Sequence, residues 1–196
     1  MKLRAQSPAC SLLVLLGLLW AARAEATPRW RYTVTLVDAA RGLLAVDWSY
    51  DAPVRRVCVD MSGAEIAVQD LRQILPEGRA IPLRRSDDCW PLPRPAATLR
   101  LRYQVDLRAL ADRYGDPDYA SQLGQSFVVN DESLVLRPDP SPARASPPEE
   151  IDATFRLPRG FGVATHWSPL PADACAPQPE QRYRYDSRQY DAGSYI

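Results

Sequence analysis

From residue 30 onward, apolar and polar positions alternate with a period of two, the spacing of strands that bury one face and wet the other. Tyr32, Val34 and Leu36 alternate with Arg31, Thr33 and Thr35; past a turn at 39–42, Leu44, Val46, Trp48 and Tyr50 alternate with Ala45, Asp47 and Ser49. The pattern predicts a hairpin with Trp48 in the core. Val57, Val59 and Met61 predict a third strand ended by Ser62-Gly63, and Ile81 with Leu83 a short one. The longest clean run sets Leu99, Leu101, Tyr103, Val105 and Leu107 against Arg100, Arg102, Gln104, Asp106 and Arg108. One short helix is expected from Leu107 to Tyr114, with Leu107, Leu110 and Ala111 at helical spacing, a stop at Gly115 and Pro117 beyond it. Phe127–Val129 and Leu134–Leu136 predict a hairpin around Asn130-Asp131. Pro138, Pro140, Pro142, Pro147 and Pro148 then make a stiff connection that cannot lie inside a sheet. Strand pattern resumes at Ile151, Ala153, Phe155 and Leu157, turns at Pro158-Arg159-Gly160 and continues through Phe161, Val163 and Thr165. The sum is an all-β fold over 28–170, a β-sandwich of antiparallel strands with one short helix. Residues 171–196 read as an extended tail or the start of a missing continuation.

Ahead of these strands stands an eleven-residue apolar run, Leu12 to Ala22, preceded by Lys2 and Arg4 and followed by Ala22-Arg23-Ala24. This is the pattern of a secretory signal peptide over 1–24, cleaved near Ala24-Glu25. Eleven residues at about 1.5 Å each cover only half of a ~30 Å apolar bilayer core. A retained anchor is the lesser alternative, and no stable membrane span is expected after cleavage. Cys10 precedes the apolar run, so it is not a lipoprotein cysteine. The expected location is periplasmic or secreted.

Composition is globular, 46% hydrophobic and 24% charged with zero formal net charge. Arginine is abundant while Lys2 is the one lysine, and the basic residues are interleaved with acids. Nucleic-acid binding would need them gathered on one face with aromatics between, so no nucleic-acid partner is expected. In an oxidising compartment two of Cys58, Cys89 and Cys175 should be bridged. Cys58 lies in strand pattern and Cys89 in a loop just before the next strand, which favours that pair; Cys175 is then left over.

Catalytic chemistry is thin. His166 is the single histidine, there is no HExxH, and no GxSxG accompanies a histidine base. Beside Trp167, His166 reads as a surface or strand-end residue. Asp116-Pro117-Asp118 lacks the alternating ligands of a calcium loop and reads as a capping turn. Carboxylates such as Asp87-Asp88, Asp112 and Glu149-Glu150 are plentiful, but a hydrolytic pair must face across a cleft. Neither phosphate-binding glycine motif occurs. Trp90, between Cys89 and Pro91, fits either a ligand platform or packing against the disulfide. Tyr183, Tyr185 and Tyr190, in a polar segment, are candidates for a contact surface.

Read in order, three segments resemble the amino-terminal domain of the glycyl aminopeptidase family, exported zinc metallopeptidases with a thermolysin-like catalytic domain and often a PDZ domain. They are the opening hairpin (Tyr32-Thr-Val-Thr-Leu-Val37 and Leu43-Leu-Ala-Val-Asp-Trp48), the strand Leu99-Arg-Leu-Arg-Tyr-Gln-Val-Asp-Leu107, and a second half. That half comprises Asp131-Glu-Ser-Leu-Val-Leu-Arg-Pro138, a Pro-rich loop, Ile151-Asp-Ala-Thr-Phe-Arg-Leu-Pro158 and Gly160-Phe-Gly-Val-Ala-Thr165. Met61-Ser-Gly63 departs from the family's Trp-x-Pro-Gly-like turn, and the zinc helix is absent, so no catalytic residue carries over. The resemblance implies an accessory β-domain whose partner is a catalytic domain or another peptide or protein, and any zinc would belong to that downstream domain rather than to this chain. The other readings are a free-standing periplasmic binding or adhesion module and a hydrolase with an unrecognised carboxylate site.

Overall fold

In a computed structural model, the residues described are 29–51, 53–59, 61–94, 97–115, 120–124, 126–139, 150–165, 167–171 and 180–186. The predicted signal segment, His166, Cys175, Tyr190, Tyr195 and the Asp116-Pro117-Asp118 turn lie outside them. The strands are β1 (Arg29–Asp38), β2 (Leu43–Tyr50), β3 (Arg56–Val59), β4 (Val68–Ile74), β5 (Ala80–Pro82), β6 (Cys89–Pro91), β7 (Leu99–Asp106), β8 (Ala120–Leu123), β9 (Ser126–Val129), β10 (Leu136–Pro138), β11 (Glu150–Arg156), β12 (Ser168–Leu170) and β13 (Glu180–Asp186). Eight form one sheet in the order β12-β13-β11-β1-β2-β7-β4-β5; β10-β3-β6 form a second, and β8-β9 a separate ribbon.

The period-two pattern decides how the two sheets meet. Tyr32 on β1 stands opposite Trp48 on β2 and Ala153 on β11, and Trp48 opposite Leu101 on β7. These side chains form one dry row across the large sheet, with Tyr32 and Trp48 stacked at 5.8 Å between ring centroids. The small sheet lies over that face. Its inward residues Val57, Val59, Trp90 and Leu136 join the same buried cluster, and the Tyr32 hydroxyl donates to the Leu136 carbonyl at 2.6 Å. Tyr103 is buried in this layer too, and loss of hydration holds its phenol well above the usual tyrosine range.

The outer face is charged. Arg102 reaches Asp47 at 2.8 Å, Arg184 grips both oxygens of Asp152 at 2.6 and 2.9 Å, and Arg156 reaches Glu180 at 2.9 Å. Each of these pairs joins residues directly opposite on neighbouring strands.

The helix α1 (Leu107–Tyr114) is present as predicted. Asp106 caps it by accepting the Ala109 N–H at 3.1 Å, and Gly115 ends it in the left-handed region. The buried Asp106 carboxylate also accepts from Arg41 at 2.7 Å, which ties the β1–β2 turn to the start of the helix.

The expected all-β, antiparallel-rich architecture with a short helix stands, and within it one seam of the large sheet, β1 with β11, is parallel. Several expectations are corrected. Phe127–Val129 does not pair with Leu134–Leu136: β9 pairs with β8, a single helical turn occupies Asp131–Leu134, and β10 pairs with β3. Met61 lies beyond the end of β3. Phe161 to Thr165 form no strand. Cys89 lies in a short strand, β6, rather than a loop. Within 171–196, residues 180–186 are not a tail: β13 sits between β11 and β12 in the large sheet. Finally, the two sheets share a device at their margins. All four outermost strands (β5, β12, β6 and β10) are three residues long and contain a proline, Pro82, Pro169, Pro91 and Pro138 respectively.

Candidate functional site

The inner face of the large sheet is longer than its cover. Beyond the small sheet, Val34, Leu36, Leu44 and Phe155 continue the apolar row and floor a groove of about 1100 Å³. One wall is β9 with the residue after it, 126–130; the other is the stretch 159–165 that follows β11. Trp167 and Leu134 close the ends of the lining.

Local sequence explains how the walls are placed. Gly42 turns β1 into β2 at φ +63°, and a Cβ there would lie 2.7 Å from two carbons of the Phe127 ring. The missing side chain lets β9 settle on the turn. On the opposite wall, Val163 is held by two side chains of β13: its N–H donates to Gln181 Oε1 at 3.0 Å, and its carbonyl accepts from the Tyr183 hydroxyl at 3.3 Å. Tyr183 packs edge-on against Phe155, and Tyr185 against Trp167.

Chemically the groove is apolar and faintly cationic. No carboxylate lines it among the described residues, and Arg159 is its one charged side chain, with no ion-pair partner among them. Val128 and Phe161, one on each wall, are 46% and 40% exposed. A second cavity of about 310 Å³ carries Glu65, Asp70 and Arg85. Its carboxylates are engaged locally: Glu65 accepts the Gly63 N–H and Asp70 pairs with Arg72. The described residues contain no group of three or more His, Cys, Asp or Glu placed to hold a metal ion.

The residues singled out by sequence are scattered. Cys58 and Cys89 are bonded, directly opposite each other on β3 and β6. Trp90 sits beside the disulfide in β6. It is 4% exposed, follows Cys89 on β6, and lines the second cavity with Glu65, Asp70 and Arg85. Tyr183 and Tyr185 are half-buried on β13, where the Tyr183 hydroxyl donates to the Val163 carbonyl and Tyr185 packs against Trp167. The structure does not bring Trp90 to them. The groove residues that matter most, Gly42, Phe127, Arg159 and Phe161, read in the sequence as turn and strand positions without chemistry.

No protein-family profile matches the sequence, and no curated protein matches it. The architecture does have counterparts among solved structures. Among 64 matching chains of solved structures is the crystal structure of an aminopeptidase N family protein from Idiomarina loihiensis, at 19% identity and a TM-score of 0.54. The match covers 80% of this chain but 27% of that protein, and at this identity the likeness is one of fold. The neighbour is described as an aminopeptidase N family protein, not a glycyl aminopeptidase, and the chain spans about a quarter of its length.

Proposed function

We propose that the chain is a non-catalytic, exported scaffold domain that works beside a peptidase-type catalytic domain. The observation that carries this reading is the fold shared with about a quarter of a larger aminopeptidase N family protein. The pairing of carboxylates supports it. Asp47, Asp51, Asp106, Asp139, Asp152 and Glu180 each meet an arginine, an arrangement that neutralises them instead of setting two acids across a cleft. The disulfide and the lack of a membrane-crossing helix among the described residues are compatible with export. The narrower likeness to glycyl aminopeptidases rests on the strand motifs alone. A free-standing binding module is the second reading, favoured by the apolar groove.

The test is enzymatic. The purified chain, assayed with aminoacyl-coumarin substrates with and without added zinc, should show no turnover, and it should bind or stimulate a catalytic domain encoded in the same genome. Turnover by the chain alone that is lost on replacing one of its own acids would refute the scaffold reading. Absence of any effect on such a domain, with retained ligand binding, would favour the free-standing module.

A further inference from the structure

The groove has a property that a simple apolar hole lacks. In an extended segment successive side chains point to opposite sides, so a cavity normally meets every second residue. Here every residue of 126–130 and every residue of 159–165 lines it. A cavity met by unbroken runs on both sides is bordered by backbone edges.

Those edges carry open hydrogen-bonding groups. β9 pairs on one side with β8, and no described strand occupies its other side. On the facing wall, the main-chain groups of Val163 are taken by Gln181 and Tyr183. In an extended chain the groups of Gly162 and Ala164 point the other way; both residues are exposed, and neither is hydrogen-bonded through its main chain among the described residues. The margins of both sheets are blunted by prolines, whereas β9 has none. Among the described residues, the β9 edge of the β8–β9 ribbon borders the groove without such a guard.

We propose that the groove binds an extended peptide, which enters between β9 and 159–165 as an added strand. Its alternate side chains are apolar and rest on Leu36, Leu44 and Phe155, and it carries a carboxylate at the Arg159 end. Main-chain bonds to the two walls supply affinity, and the floor supplies selectivity for alternating apolar residues. The carboxylate follows from charge: the lining holds one cation and no anion among its described residues. A lipid would satisfy the floor and leave both backbone edges unpaired. The site goes beyond the scaffold reading and does not rest on it.

The test uses the purified chain and a fluorescein-labelled octapeptide of Thr-Val repeats with a free carboxyl terminus, read by fluorescence polarisation. Saturable binding is expected below about 100 µM. Two N-methylated versions, one for each alternate set of amides, should each bind about tenfold more weakly or worse, because each set faces one wall. A carboxamide terminus should weaken binding about threefold, and Arg159→Gln should abolish that difference. Val129→Pro, which removes an N–H that β8 does not use, should weaken binding about tenfold while leaving the thermal unfolding midpoint within a few degrees. Because the N-methylated comparison leaves the protein unaltered, it holds even if a variant misfolds. No saturation, equal affinity for the N-methylated peptides, displacement by palmitate but not by unlabelled peptide, or a dimer that Val129→Pro dissociates would each overturn the proposal.

Discussion

Replacing Gly42 with alanine tests how the groove is built, because the same substitution strains the backbone and strikes the wall. Gly42 lies at φ +63°, where a residue with a Cβ is about 1–2 kcal/mol less stable. The new Cβ would also lie 2.7 Å from two carbons of the Phe127 ring. Ordinary carbon contacts lie near 3.5–4.0 Å, so the ring must retreat by about 1 Å. Phe127 is half-buried against the core, and partial loss of that burial adds about 1–2 kcal/mol. Gly42→Ala should therefore destabilise the fold by about 2–4 kcal/mol in urea unfolding, with little change in the denaturant slope. In a Phe127→Ala background the clash is gone, and the same substitution should cost only the backbone share, about 1–2 kcal/mol. The resulting coupling of about 1–2 kcal/mol lies above the 0.3–0.5 kcal/mol scatter of independent sites. Equal costs in the two backgrounds would refute the seating of Phe127 on the turn.

Three further predictions follow from the packing. Removing the Cys58–Cys89 bridge, whose partners are 31 residues apart, should lower stability by about 3–4 kcal/mol on the loop-entropy account, read as the difference between oxidised and reduced protein in urea. Asp106→Ala should cost about 2–3 kcal/mol through the lost helix cap and the lost Arg41 contact, whereas Asp106→Asn, which can still cap, should cost less than half of that; equal losses would exclude the capping role. Burial raises the Tyr103 phenol above its unfolded value, so the folded state keeps a proton that the unfolded chain loses. Stability from this group is complete below about pH 10 and falls above it, by up to about 1.4 kcal/mol per pH unit. In absorbance at 295 nm, Tyr103 should ionise only as the chain unfolds, and complete phenol titration with an unchanged circular dichroism spectrum would contradict its burial.

Legibility in the sequence followed amphipathicity. β1, β2 and β7 each bury alternate positions over most of their length, so the alternation is clear, and α1 carries both its cap and its glycine stop. β4 was hidden for a physical reason. Its register shifts between Gln69 and Arg72, Asp70 adopts φ +50°, and one inward position is Gln73, whose amide donates to the Arg94 carbonyl. A bulge and a buried polar side chain together erase the pattern. β13 was obscured because Tyr183 and Tyr185 are only half-covered and its other residues are charged or polar. Phe161, Val163 and Thr165 alternate like a strand, yet the hydrogen bonds that fix Val163 come from side chains, so no ladder forms. The groove itself left no mark in the sequence, because Leu36, Leu44 and Phe155 are ordinary core-facing residues, and what distinguishes them is the extent of the layer above.

The parallel seam has a consequence for biosynthesis. β1 sits in the interior of the large sheet, yet the strand on one of its flanks, β11, comes about 120 residues later in the chain. At 5–20 residues per second, Trp30 and Tyr32 emerge roughly 6–24 s before that flank can close. A nascent molecule thus carries an aromatic, half-zipped ribbon for many seconds, and yield in cells should respond to holdase abundance more steeply than the stability of the finished protein would suggest.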